Sequence, residues 1–466
     1  MDVRLQPHNM HWRYPDQFRE LDPHLSRLQE MSLVYRFPLL DGLPRTEPGI
    51  YAVTGGRQIG KTTLLKQYMA DLQTSGHDPE CIIYLPGEVF DDHHALVAAI
   101  TDCLGRLEDR PGPIFLLLDE VTYIAGWDRG VKYLADAGLL RNVILLLTGS
   151  DCVLIREARM RFPGRRGRAD QPDFHLFPLT FAEVVALRRG LSHADVQELS
   201  RAPSDVELSR LENEFERYLA HGGYLTAINE LERDHSIRRA TFTTYGDWIR
   251  GDVLKRGKHE HFLREILDAL SKRAGTQITW NNLVADLSID HPATVADYVA
   301  LLARMDAVIV QQALREDKLQ GAPKKARKVY FSDPFIAHAI RAWLRHAEQP
   351  YEDIVEPLLA DPERVGTLVE ACAVAHFKRF FPTYYIKGVG EVDIAYVEHG
   401  QFWPVEIKWT RQIRSTDLKQ LGKYPRGLVC TKAGFPASVH GVAAKPLVQA
   451  LLELGPSPLV SLSEGG

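Results

Sequence analysis

The chain has 466 residues, of which 45% are apolar and 25% are charged, and its formal net charge is −5 at pH 7. This composition is ordinary for a globular protein, so collagen-like and wholly disordered chains are excluded, and the length predicts about three domains. Because the chain as a whole is acidic, any binding of nucleic acid must come from local basic patches.

The cysteines and the apolar segments indicate a reducing compartment. The chain has five scattered cysteines, Cys81, Cys103, Cys152, Cys372 and Cys430. None has the CxxC spacing of a zinc or redox site, so we expect buried thiols. The first residues lack the apolar core of a signal peptide, and no apolar run approaches the ~20 residues of a membrane helix. We therefore expect a cytoplasmic protein with no membrane partner.

Short apolar runs alternate with amphipathic helical stretches in the first part of the chain. The runs are residues 50–53, 81–85, 114–118 and 142–147. Continuous apolar runs are typical of strands buried on both faces of a parallel sheet, and spacings of about 25–35 residues leave room for crossover helices. The sequence therefore predicts an α/β domain with a parallel sheet covered by helices.

A phosphate-binding motif follows the first of these strands. Residues 55–62 match G-x-x-x-x-G-K-[ST] and open a helical run. Backbone N–H groups of such a loop and the helix N-terminus cradle phosphates, Lys61 reaches the β- and γ-phosphates, and the Thr62 hydroxyl binds Mg²⁺. The predicted ATP-binding residues are Gly55, Gly56, Arg57, Gln58, Ile59, Gly60, Lys61, Thr62 and Thr63.

Two later strand ends are expected to complete the site. Asp119 and Glu120 follow the run 114–118, where Asp119 would hold Mg²⁺ through water and Glu120 would activate the attacking water. Thr148 and Ser150 follow the run 142–147, and either could contact the γ-phosphate or cap the strand; Ser150 is the predicted catalytic residue. Six arginines between residues 156 and 168 form a basic stretch. One of them could act as an arginine finger, and the alternative is a solvated basic loop or a contact with nucleic acid.

These motifs resemble the AAA-type ATPase domain of a broad prokaryotic family. The resemblance extends to residues 177–183, Phe-Pro-Leu-Thr-Phe-Ala-Glu, and to the glycine pair Gly222-Gly223 of a small helical lid. It implies a lid over residues 191–255 after an ATPase core over residues 1–190. Members are ATP-binding proteins with a C-terminal domain that is nuclease-like and of unknown function.

The residues after the lid predict a winged helix. Residues 262–274 and a stretch starting near Thr294 have helical periodicity, and two β-like runs follow at 308–310 and 328–331. The second helix carries acidic residues, whereas the expected wing has four cations within five residues, Lys324, Lys325, Arg327 and Lys328. We therefore expect the wing to contact a nucleic-acid backbone. The alternative is an interdomain packing module. Prolines 350, 357 and 362 predict a non-helical linker between residues 349 and 362.

Carboxylates on two strands mark the last domain. Asp393 lies on one strand, Glu406 and Lys408 share one face of the next, and Glu370 lies on the preceding helix. Glu370, Asp393 and Glu406 are the predicted ligands of Mg²⁺ or Mn²⁺, and Lys408 would position or deprotonate a water. The pattern D-x₁₂-E-x-K resembles the restriction-endonuclease-like core, with Val392 where that family often has proline. The basic residues 408–414 lie close by.

The overall prediction is an α/β fold: a P-loop NTPase parallel sheet with a helical lid, then a winged helix, then a small α/β nuclease-like domain. The expected boundaries are residues 1–190, 191–255, 256–347 and 348–454, with a tail at 455–466. We expect the protein to hydrolyse ATP with Mg²⁺ and to bind nucleic acid, with DNA preferred over RNA as the candidate. Whether the last domain cleaves nucleic acid is left undecided by the sequence. The alternative is an ATP-dependent switch that binds a protein partner and retains an inactive nuclease-like scaffold.

Overall fold

The computed structural model describes residues 3–108, 110–149, 162 and 172–456. These residues divide into two compact units, one ending at Phe177 and the other beginning at Pro178. The cysteines that lie within the described ranges, Cys81, Cys103, Cys372 and Cys430, are buried free thiols, as expected. In the part of the chain that the structure describes, every helix is too short or too polar to span a bilayer.

The first unit is built on a five-stranded parallel sheet in the order β2-β3-β4-β1-β5. The strands are β1 (Gly49–Gly55), β2 (Ile82–Pro86), β3 (Ile114–Asp119), β4 (Val143–Gly149) and β5 (Asp173–Leu176). The helices are α1 (Phe18–Leu21), α2 (Pro23–Gln29), α3 (Leu39–Gly42), α4 (Lys61–Thr74), α5 (His93–Gly105) and α6 (Trp127–Asp136). β1, β3 and β4 are buried along their whole length, which agrees with their apolar sequences and confirms the predicted α/β domain.

The second unit begins with helices. They are α7 (Phe181–Arg189), α8 (His193–Arg201), α9 (Asp205–His221), α10 (Leu225–Asp234) and α11 (Arg239–Lys255), followed by α12 (Glu260–Lys272), α13 (Trp280–Val284) and α14 (Pro292–Arg304). Four strands come next, β6 (Val308–Gln312), β7 (Leu314–Arg315), β8 (Gln320–Gly321) and β9 (Arg327–Phe331). β6 pairs with β9 and β7 with β8, both antiparallel. This is the segment for which a winged helix is predicted.

The prediction of a non-helical linker between residues 349 and 362 is wrong. After α15 (Pro334–Arg345), residues Tyr351–Val355 form a π-helical turn, and α16 (Glu356–Leu359) and α17 (Pro362–Phe380) follow. Pro357 and Pro362 lie in the first turn of their helices, where the missing N–H group would have no intrahelical partner. Proline therefore starts helices here and does not interrupt them.

The second unit ends in a six-stranded mixed sheet. Its strands are β10 (Thr383–Lys387), β11 (Glu391–Glu398), β12 (Gln401–Lys408), β13 (Leu428–Thr431), β14 (Ser438–Val439) and β15 (Val442–Pro446), and α18 (Leu447–Leu454) follows. The order is β10-β11-β12-β13-β15-β14, with β12, β13 and β15 parallel to one another. β11 and β12 are antiparallel, which brings the predicted carboxylates of both strands to one place.

Candidate nucleotide site and carboxylate cluster

The phosphate loop joins the end of β1 to the start of α4. Gln58 and Gly60 have left-handed backbones, with φ of 59° and 102°, and α4 begins at Lys61. The Lys61 ammonium donates to the carbonyls of Gly55 and Gly56 at 3.0 and 2.8 Å. The lysine is thus folded over its own loop, so that its charge lies beside the backbone expected to hold phosphates.

Asp119, at the end of β3, is the centre of a buried hydrogen-bond network. Its Oδ2 accepts from the hydroxyls of Thr62 and Tyr84, each at 2.7 Å, and its Oδ1 accepts from the hydroxyl of Thr148. The structure thus brings the two predicted Mg²⁺ residues, Thr62 and Asp119, into direct contact. A hydroxyl and a carboxylate are hard oxygen donors of the kind that Mg²⁺ prefers, so this pair fits the ion.

Glu120 follows Asp119 with a left-handed backbone, at φ 53°. Its Oε1 accepts from the Thr122 hydroxyl at 2.6 Å, and its backbone N–H donates to Thr148 Oγ1 at 2.9 Å. A non-glycine residue in this conformation costs of the order of 1–2 kcal/mol, which surrounding contacts must offset. Such strain at the end of a strand beside a phosphate loop favours a functional role for Glu120.

Thr148, near the end of β4, is the residue whose hydroxyl bonds both Asp119 and Glu120 at the carboxyl edge of the sheet. β4 lies between β1 and β3, and Thr148 pairs with Val53 of β1, so its hydroxyl reaches Asp119 and Glu120 together. The predicted catalytic Ser150 lies outside the described residues, as do the six arginines between residues 156 and 168.

Tyr84 and Gly87 contribute to this edge although the sequence did not single them out. The hydroxyl of Tyr84 bonds Asp119, and burial together with the Asp119 charge raises the pKa of the Tyr84 phenol well above its usual value. Gly87 follows β2, and a Cβ there would overlap the Glu120 carbonyl and lie 2.9 Å from that of Asp119. The available signal was a single polar ring within an aliphatic strand, followed by Pro-Gly.

Beneath Tyr84 lies a buried ion pair that ties the N-terminal segment to α4. The Lys66 ammonium is 3.1 Å from Asp22 and 3.6 Å from the centroid of the Tyr84 ring. Burial lowers the pKa of Lys66, and the Asp22 carboxylate opposes that shift. Sequence periodicity indicates only that Lys66 lies on a helix, so its partner was not foreseeable.

In the second unit, Asp393, Glu406 and Lys408 come together as predicted. Asp393 Oδ2 accepts from the Ile407 backbone N–H at 3.0 Å, and Glu406 Oε1 accepts from the Lys408 ammonium at 2.6 Å. Burial, reinforced by the charge of Asp393, raises the pKa of Glu406, whereas Lys408 opposes the rise. The two antiparallel strands β11 and β12 are responsible for this convergence.

Glu370 also reaches the cluster, but a lysine lies between it and Asp393. The Lys328 ammonium is 2.8 Å from Glu370 Oε1 and 3.5 Å from Asp393 Oδ1, and it pairs with Glu391 as well. The sequence predicts that Lys328 lies on an exposed wing. That prediction is wrong, because its side chain is only 1% exposed and its charge is used inside the protein.

The pKa shifts follow from this arrangement. Burial alone would lower the pKa of Lys328, but the carboxylates of Asp393 and Glu370 outweigh burial and raise it, so the lysine stays charged. Burial and the charge of Asp393 raise the pKa of Glu370, while Lys328 opposes the rise. Among the described residues, no three His, Cys, Asp or Glu side chains are arranged to hold a metal ion. As arranged, the cluster does not fit the predicted Mg²⁺ or Mn²⁺.

The glycine pair of the expected lid has a structural explanation. Gly222 has φ 56° and ψ −150°, a conformation open essentially to glycine alone, and a Cβ there would overlap the Asp333 carboxylate. The Asp333 carboxylate accepts from the N–H groups of Gly223 and Phe335, at 2.9 and 2.8 Å. The pair thus lets the end of α9 pack on the carboxylate that caps α15.

Comparison with known families supports the assignment of the first unit. Residues 47–185 match the family model described as an AAA domain, and residues 212–346 match a domain of unknown function (DUF8612). Together with the parallel sheet and the phosphate loop, the first match confirms the predicted AAA-type P-loop domain. The winged-helix and nuclease-like assignments stay predictions.

Two curated relatives are uncharacterized proteins. One, from Haemophilus influenzae, is 24% identical over 266 residues, which cover 54% of this chain and 60% of the relative. The other, from Methanocaldococcus jannaschii, is 26% identical over 196 residues, which cover 38% of each protein. The chain therefore spans less than two thirds of the length of either relative.

Solved structures show distant similarity. A Walker-type ATPase of Pyrococcus abyssi is 15% identical with a TM-score of 0.40, covering 70% of this chain and 95% of that one. The Aeropyrum pernix ORC1 protein, solved in complex with DNA, is 15% identical with a TM-score of 0.30, covering 72% and 93%.

Proposed function

We propose that the first unit binds and hydrolyses ATP. The observation that carries this proposal is the contact between the Thr62 hydroxyl, at the start of α4, and the Asp119 carboxylate, at the end of β3. This contact brings a phosphate loop and an acidic strand end together at the carboxyl edge of a parallel sheet, where such sheets bind ligands. Thr62 and Asp119 would hold Mg²⁺, which supplies charge neutralisation for the phosphates when it is bound.

Lys61, Glu120 and Thr148 would have separate roles in ATP binding and hydrolysis. Lys61 would leave the carbonyls of Gly55 and Gly56 and pair with the phosphates, which offer a stronger, charged acceptor. Glu120 would orient a water for attack on the γ-phosphorus and accept its proton, as the bond to the β-phosphate oxygen breaks. Thr148 would keep Glu120 and Asp119 in register, since its hydroxyl contacts both residues.

Two substitutions separate binding from hydrolysis. Lys61→Ala is expected to weaken ATP binding at least tenfold, whereas Glu120→Gln is expected to preserve binding and to lower turnover at least a hundredfold. Binding is measured with a fluorescent ATP analogue, and turnover by phosphate release. The exposed residues Lys132 and Glu88 provide matched controls, Lys132→Ala and Glu88→Gln. Unchanged turnover in both Lys61→Ala and Glu120→Gln would overturn the proposal.

We further propose that the second unit binds the backbone of nucleic acid. Lys324 and Lys325, between β8 and β9, are exposed, as are Arg411 and Arg414 after β12. These cations lie in two of the predicted basic stretches, and unlike Lys328 they present their charges to solvent. Phosphate contacts of this kind give binding that weakens with salt and is insensitive to base sequence.

The test is the salt dependence of binding to a fluorescein-labelled DNA, followed by anisotropy. Replacing both Lys324 and Lys325 by alanine should reduce the slope of log K against log salt by about two, since each phosphate contact contributes about 0.9. The matched control replaces Lys272 and Arg233, which are also exposed. An equal loss from both double variants, or no loss from the first, would contradict the proposed surface.

A further inference from the structure

Lys328 lies where three acidic side chains of the second unit meet. Glu370 belongs to α17, and Glu391 and Asp393 belong to β11, while Lys328 belongs to β9. The ammonium contacts all three carboxylates and is 1% exposed. A lysine from a different part of the chain thus serves as the common counter-ion of an acidic group.

Neighbouring contacts fix Lys328 in this position. Tyr330, two residues along the same face of β9, donates to Glu370 Oε1 at 2.6 Å. The Gln311 amide of β6 donates to the backbone carbonyls of Asp393 and Tyr384, at 2.9 and 3.0 Å. Gln277 donates to Glu391. Tyr330, Gln311 and Gln277 thus hydrogen-bond to the elements that carry the carboxylates, and these bonds keep the carboxylates around the Lys328 ammonium.

A divalent cation would have to bind the same oxygens. Ca²⁺, Mg²⁺ and Mn²⁺ coordinate carboxylate oxygens at about 2.0–2.6 Å. The ammonium already lies 2.8 Å from Glu370 Oε1 and 3.5 Å from Asp393 Oδ1, so the metal and the lysine exclude each other. Three neighbouring carboxylates repel one another unless a cation lies among them, and this chain supplies that cation with the Lys328 ammonium.

We propose that Lys328 closes the cluster of Glu370, Glu391 and Asp393 to divalent cations, because its ammonium occupies the position that an ion would need. Two of the three predicted metal ligands, Glu370 and Asp393, contact this ammonium. The proposal does not rest on ATP hydrolysis in the first unit.

Replacing Lys328 by methionine tests this inference directly. Mn²⁺ is titrated into each nucleotide-free protein, and free Mn²⁺ is followed by its electron paramagnetic resonance signal. Lys328→Met is expected to bind one more Mn²⁺ per chain than the unsubstituted protein does. The double variant Lys328→Met/Asp393→Asn is expected to lose this additional ion, and Lys325→Met, which removes an exposed lysine nearby, is expected to bind as the unsubstituted protein does.

Lys328→Met removes the cation that all three carboxylates contact, so its folding is checked by circular dichroism. If it does not fold, Lys328→Met/Glu391→Gln is used in its place, because it carries one negative charge fewer and retains Glu370 and Asp393. Folded variants that bind no more Mn²⁺ than the unsubstituted protein would overturn the proposal, as would an additional ion retained after Asp393→Asn. ATP turnover is expected to be unchanged in every variant, which separates this result from a failure of the proposed ATPase.

Discussion

The Tyr84 hydroxyl donates to the same Asp119 oxygen that accepts from Thr62, with both distances at 2.7 Å. Tyr84 comes from β2, Asp119 from β3 and Thr62 from α4, so one carboxylate oxygen joins three elements. A buried carboxylate that accepts from several donors is held in one orientation, which suits a residue expected to face a metal through water. Tyr84 thus acts on the proposed ATPase through Asp119.

Tyr84→Phe removes one of these donors without changing the ring. A hydrogen bond to a charged group contributes about 1.5–3 kcal/mol, so we expect the free energy of unfolding of the first unit to fall by about that amount. We also expect half-maximal ATP turnover to need more Mg²⁺, because Asp119 is less well oriented. Denaturant unfolding and a Mg²⁺ titration of turnover measure the two effects. Tyr133→Phe, at an exposed tyrosine, should change neither, and an unaltered Mg²⁺ dependence in Tyr84→Phe would contradict the positioning role.

Gly87→Ala, just after β2, should disturb the end of β3, where Asp119 and Glu120 lie. Its Cβ would overlap the Glu120 carbonyl and lie 2.9 Å from that of Asp119, so the end of β3 must shift. Overpacking of this kind costs about 1–3 kcal/mol, and we expect turnover to fall with stability. Gly105→Ala is the control, because a Cβ added at Gly105 would meet nothing within 4 Å. Full turnover in Gly87→Ala would show that the two strand ends are not closely coupled.

Gly222→Ala and Gly251→Ala should have opposite effects on the second unit. Alanine at Gly222 requires a forbidden backbone and overlaps Asp333, so we expect a loss of at least about 3 kcal/mol. Gly251 lies within α11 with open space around it, so alanine there should stabilise by about 0.5–1 kcal/mol. Thermal unfolding distinguishes the two, and a stable Gly222→Ala protein would exclude the close packing on Asp333.

Asp333 should make the stability of the second unit depend on pH. Burial raises the pKa of its carboxyl from 3.8 to about 6, although the N–H groups of Gly223 and Phe335 and the charge of Arg379 oppose the rise. Between about pH 4 and pH 6 the folded protein holds a proton that the unfolded chain has released. The contribution of Asp333 to stability therefore increases as pH falls through 6, by up to about 3 kcal/mol.

The comparison protein for this effect is Asp333→Asn, which cannot titrate. The buried histidines His221, His338 and His376 have pKa values lowered to about 3, so they destabilise the fold in acid, but they are present in both proteins. The difference in unfolding free energy between the two proteins should grow in favour of Asp333 from pH 7.5 to pH 5. A difference independent of pH would show that the carboxyl does not titrate in this range.

The sequence by itself determined the parts of the protein whose physics is local. The phosphate loop was predictable because its glycines, Lys61 and Thr62 are contiguous and act through the backbone next to them. Strands β1 to β4 of the first unit were predictable because an uninterrupted apolar run can be buried only within a core. β5 was not predicted, because its sequence, Asp-Phe-His-Leu, is not such a run. The convergence of Asp393 with Glu406 followed from alternation along two strands joined by a tight turn.

Only the tertiary structure decided which partners distant residues meet. Placing β4 between β1 and β3 gave Thr148 its role, and strand order is not encoded in any single run. Lys328 and Tyr330 share one face of β9, but alternation does not say whether that face meets solvent or protein. Packing against α17 and β11 decided it, because the three carboxylates of these elements surround the Lys328 ammonium and balance its charge. A lysine expected to bind nucleic acid is therefore an internal counter-ion.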